Sequence, residues 1–189
     1  LKLLPLALSM AAPATAQSLI DYDLVMQENA DRVVVATDAE GRETRTLDMG
    51  NGVMISCGPD GCIGMDMTDK GALGCTFAIF TELQAFAQVC EGVLDADGKA
   101  AMTEAFDTVG QIVARNAVPP LPATYPQEVL DATVARLQAG LGDDPAGQCQ
   151  AQMDGDVGMM LLAVVQGWQA GEGRPDPSDD RLPVMNPCL

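Results

Sequence analysis

Apolar and polar positions follow three successive rhythms along this chain. The first is a largely apolar run from Leu3 to Ala12, preceded by Lys2 and followed by Ala14-Thr15-Ala16. A basic residue, an apolar stretch well short of the ~20 residues that span a bilayer, and a small-x-small triplet predict a secretory signal peptide cleaved after Ala16. Residues 17–189 then form one domain, with no later stretch apolar and long enough to be a membrane span.

The second rhythm is short. Val33-Val34-Val35, Thr44-Arg45-Thr46-Leu47, Val53-Met54-Ile55-Ser56-Cys57 and Cys62-Ile63-Gly64-Met65-Asp66-Met67 are separated by turn clusters. These clusters are Asp38-Ala39-Glu40-Gly41, Gly50-Asn51-Gly52 and Gly58-Pro59-Asp60-Gly61, whose residue types suit tight reversals. The segment predicts a small antiparallel meander of three or four strands.

From Leu73 the period becomes helical. Cys75, Ile79, Leu83, Phe86 and Cys90 fall on one helix face, and Met102, Phe106, Val109 and Val113 form a second stripe. Pro119, Pro120, Pro122 and Pro126 make a stiff connector to a third, through Leu130, Val134, Leu137 and Leu141. Cys149, Met153, Val157, Met160, Val164 and Trp168 make a fourth. The tail at 171–189 is rich in Pro and Asp and has no period, a composition that reads as disordered but for Cys188. The predicted fold is α+β: a meander followed by a four-helix cluster, stapled by three disulfides.

Cysteine and histidine usage sharpens that picture. Six cysteines behind an export leader predict disulfides and an oxidising compartment, the periplasm first and secretion second. The Ala-rich leader and the scarcity of lysine give the chain a bacterial style. Pairing is constrained by geometry. A continuous helix separates Cys75 from Cys90 by about 22 Å, far beyond the ~7 Å that a disulfide tolerates. Cys57 and Cys62 flank a tight turn and can bridge locally. Of the two remaining arrangements, an up-down bundle favours Cys90–Cys149 and Cys75–Cys188.

The absence of histidine removes the commonest general base and metal ligand. The four residues between Cys57 and Cys62 differ from the two of a thioredoxin-type redox motif, so that pair reads as structural. Asp95, Asp97 and Glu104 resemble part of an EF-hand loop and are the candidate ligands for Ca2+. Val93, however, stands where the first ligand belongs, and helix capping accounts for the same acidic residues. Met65 and Met67, with Met54 and Met49, offer thioethers for Cu(I), against the plainer role of methionine as core filler. No phosphate loop or nucleophile elbow is present, and Asp143-Asp144 and Asp179-Asp180 are merely adjacent in sequence.

The net charge of −17 argues against nucleic acid and anionic membranes as partners and permits cationic ones. The expectation is an exported, soluble, non-catalytic binding or envelope-associated protein with a protein partner. The alternative is a carboxylate-based Ca2+-binding protein or a histidine-free hydrolase with no nameable catalytic residue and no other cofactor.

Overall fold

The computed structural model describes residues 19–188; the leader with its cleavage point, and Leu189, lie outside them. The architecture is α+β. Strands β1 (Val34–Thr37), β2 (Glu43–Asp48), β3 (Val53–Gly58) and β4 (Gly61–Asp66) form one antiparallel sheet in sequential order. Gly50 and Gly52, both at positive φ, reverse the chain between β2 and β3, a backbone region that side chains other than glycine enter at a penalty. In the β3–β4 hairpin Cys57 and Cys62 are register partners and are joined by a disulfide.

The pleat gives the sheet two faces. Leu47, Val53, Ile55 and Cys57 are buried, whereas the alternate positions Thr46, Met54, Ser56, Ile63 and Met65 lie on the other face. The inner face packs on Ile20, Val25, Met26, Leu182 and Val184 to make a β-side core. Val25 and Met26 belong to a short helix, α1 (Tyr22–Glu28), which precedes the sheet and which the strand-like reading of this region did not anticipate. Asp21 begins it by accepting a hydrogen bond from the Leu24 amide at 3.0 Å.

The helical half is built on α2 (Leu73–Val89), ten of whose seventeen residues are buried. Against it lie α3 (Ala96–Asn116) and α4 (Tyr125–Gly140), with Phe77, Leu83, Phe86, Met102, Phe106, Val109 and Leu130 in the common core. The fourth predicted helix is two. α5 (Pro145–Met153) and α6 (Asp156–Gln169) meet at Asp154-Gly155, where Gly155 takes an extended conformation as the N-cap of α6. The stripe read across residues 149–168 continues through this break, so apolar spacing alone did not reveal it. All three disulfides have the expected pairing: Cys57–Cys62, Cys75–Cys188 and Cys90–Cys149.

The tail is ordered, contrary to its composition. It crosses the open edge of β4, where the Asp66 amide donates to the Asn186 carbonyl at 2.7 Å, and it covers the start of α2, where the Gly74 amide donates to the Val184 carbonyl at 3.0 Å. Leu182, Pro183 and Val184 are buried, as is Arg181 at 5% exposure. Arg181 binds the Asp66 carboxylate, the Thr68 hydroxyl at 2.9 Å and the Gly71 carbonyl at 3.1 Å through Nη1, and Asp179 through Nη2 at 2.8 Å. A polar segment is therefore fixed by satisfied charge rather than by periodic apolar burial.

Candidate functional site

The proposed calcium ligands occupy a helix, not a loop. α3 starts at Ala96; Asp95 is its N-cap and accepts from the Gly98 amide at 2.8 Å, and Asp97 sits in the first turn. Glu104 lies seven residues beyond Asp97, about 10 Å along the axis at ~1.5 Å per residue. Its Oε1 pairs with Arg174 at 3.3 Å. The structure does not bring the three carboxylates together, and among the described residues no three acidic or cysteine side chains form a group that could hold a metal ion.

The most distinctive surface is on α6. Leu161, Val165 and Trp168 are buried against the helical core. Around the rest of the same helix Met159, Met160 and Leu162 are 64%, 44% and 42% exposed, with Met160 on one flank of the buried stripe and Leu162 on the other. A helix that is apolar on both sides needs a second neighbour or leaves apolar area in water. Here Met160 borders a cavity of about 320 Å³ formed with α2 and α4 and lined by Ile79, Leu83, Phe86, Leu137 and Val157. A second cavity of about 400 Å³ shares Ala78 and Glu82 with the first and continues toward Tyr125, Val129 and Leu19. Together they make a broken apolar groove along α2, with the exposed Glu82–Arg136 ion pair at its waist.

The surroundings are acidic. From Tyr125 to Glu172 the chain carries seven acidic side chains and one basic one, Arg136. Asp156 lines the groove in the first turn of α6, and Asp154, at the α5–α6 junction, is held by Gln150 Nε2 at 2.9 Å. Beneath the exposed face, Trp168 meets Phe80 edge-on at 6.5 Å between centroids, and Arg174 lies 4.9 Å above its ring. The sequence signal for this surface was present but ambiguous. The stripe through Val157, Met160 and Val164 marks the side bordering the groove, whereas Gly158, Leu161, Val165 and Trp168 are the buried residues.

No known protein family, curated protein or solved structure matches this chain. Among the described residues no helix is long and apolar enough to cross a membrane.

Proposed function

We propose that this is an exported, non-catalytic binding protein of the periplasm that docks a protein segment bearing apolar residues flanked by lysine or arginine. The observation that carries the reading is the apolar α2–α4 groove bordered by Val157 and the exposed Met160 of α6, set in an acidic surrounding. Met160, Val157 and Leu137 supply apolar area there, and each such side chain stabilises a complex by up to about 1.5–3 kcal/mol when fully covered. The acidic rim selects the occupant, because complementary charge speeds encounter and like charge repels the wrong partner. A second copy of this strongly acidic chain is disfavoured on the same ground. Three disulfides suit the oxidising compartment that the reading requires.

The test uses a synthetic Leu/Lys amphipathic helix and its Leu/Glu counterpart, with Trp168 fluorescence as the reporter. Binding of the cationic peptide alone, lost in Met160→Asp and in Val157→Asp, is the expected outcome. Equal binding of both peptides, or binding that ignores the α6 substitutions, rejects the site; self-association lost in those variants assigns the face to a second copy instead.

A further inference from the structure

The outer face of the sheet presents a different chemistry, independent of the α6 surface. Met54 and Met65 are register partners in the β3–β4 ladder, so their side chains stand directly opposite on one face. The ladder continues past β4: the Met67 amide donates to the Gly52 carbonyl at 2.7 Å. Met67, just past the end of β4 and two residues beyond Met65, is 69% exposed, while Asp66 between them is buried. Opposed Cβ atoms lie about 4.5–5.5 Å apart and diagonal pairs about 7–8 Å, distances that long side chains bridge. Two flexible thioethers thus stand opposed, with the exposed Met67 side chain two residues along the chain from Met65.

The rest of the chain makes this grouping meaningful. It has no histidine, and all six cysteines are in disulfides, so methionine is its only free soft donor. Met26 and Met102 are buried, and Met49 packs against the β-side core. Met159 and Met160 are exposed but lie on α6, in the other half of the fold. Core filling, the ordinary use of methionine, does not explain side chains on the outer face. Asp48, the register partner of Met54 on β2, adds a carboxylate to that face, and the net charge of −17 draws cations toward the molecule.

We infer that Met54, Met65 and Met67 form a three-thioether site for a soft monovalent cation, Cu(I), on the outer face of the sheet. Neutral thioethers suit Cu(I) and discriminate against calcium, magnesium and other hard ions that favour oxygen. Binding here is coordination only, with no change of oxidation state.

The oxidised protein is titrated anaerobically with Cu(I) against bicinchoninate, and with Ag(I), a soft ion that needs no reductant and so leaves the disulfides intact. The expected result is one ion per chain, with Met54, Met65 and Met67 methyl resonances shifting while those of Met159 and Met160 stay fixed. Met54→Leu, Met65→Leu and Met67→Leu keep the volume and remove the sulfur. Each should weaken binding by at least roughly ten-fold, the scale on which even an outer-shell partner is felt. Met159→Leu should leave it unchanged. Failure to retain either ion against the competitor, or equal weakening by Met159→Leu, overturns the site. Amide spectra of each variant establish that the sheet is intact.

Discussion

Arg181 and Asp66 are 115 residues apart in sequence and form an ion pair whose side chains are 6% and 0% exposed. One comes from the polar tail and the other from the end of β4. The Asp66 carboxylate also accepts from the Thr68 amide at 2.8 Å, so the charge is hydrogen-bonded on both sides. Taking two charges out of water is expensive, and their attraction offsets that penalty only when the remaining donors and acceptors are satisfied.

Removing one partner should therefore be severe. Arg181→Met leaves Asp66 and Asp179 buried without their cation and should cost about 3–5 kcal/mol. The exposed Glu82–Arg136 pair should differ: Arg136→Gln should cost no more than about 1 kcal/mol. Urea denaturation of both variants checks the contrast. Arg181→Met combined with Asp66→Leu should recover part of the loss, since an apolar replacement removes one stranded charge.

Stability should also fall in acid through Asp179. Burial works to raise its carboxyl pKa, but hydrogen bonds and charge from Arg181 outweigh burial and hold it below the ordinary carboxylate value. With the native pKa below the unfolded one, this contribution is complete above about pH 4 and is lost as pH falls through the depressed native value. Urea midpoints of the wild type and Asp179→Asn should differ at pH 7 and converge in that acid window.

Two glycines should answer an alanine substitution with opposite signs. Alanine favours helix over glycine by about 1 kcal/mol. At Gly140, near the end of α4, an added methyl meets nothing within 4 Å, so Gly140→Ala should be neutral or stabilising. At Gly74 the methyl would strike the Pro183 carbonyl and come within 2.8 Å of the Val184 carbonyl. Gly74→Ala should lower the melting temperature because it lifts the tail from α2.

The disulfides should rank by the loops they close. Sequence separations of 113, 59 and 5 belong to Cys75–Cys188, Cys90–Cys149 and Cys57–Cys62. The chain-entropy relation assigns them about 5, 4 and 2 kcal/mol. Paired Cys→Ser variants, compared by urea midpoint, should lose stability in that order.

Millimolar calcium should leave the melting temperature unchanged. Asp95 caps α3 and Glu104 pairs with Arg174, and an ion bound to the native state would have to raise the transition. Calorimetry with calcium and with EDTA checks this; a rise lost in Asp97→Ala would restore the carboxylate site.

Much of the fold was legible because its elements follow simple periods. Turn residues at Gly50-Asn51-Gly52 and Gly58-Pro59-Asp60-Gly61 marked the hairpins, and the face through Cys75, Leu83 and Phe86 marked α2. Helix length alone excluded a Cys75–Cys90 bridge. What escaped lacks a period. α1 has seven residues and is stabilised by docking Val25 and Met26 rather than by its own repeat. The tail is held through Arg181, buried Leu182 and Val184 and the Cys188 bridge, whose partners are distant in sequence, so its composition left its order open. The groove escaped because α6 is apolar on both sides, and spacing cannot say which side another helix covers. The outward methionines were visible as a cluster, but only the strand register set Met54 opposite Met65.

The tail also sets an order of arrival. In chain order α1 and the sheet come first, and residues 181–188 only after every helix. Asp66 gains its cation and the β4 edge its neighbour only when that segment is in place, so the sheet is completed by residues more than a hundred positions away.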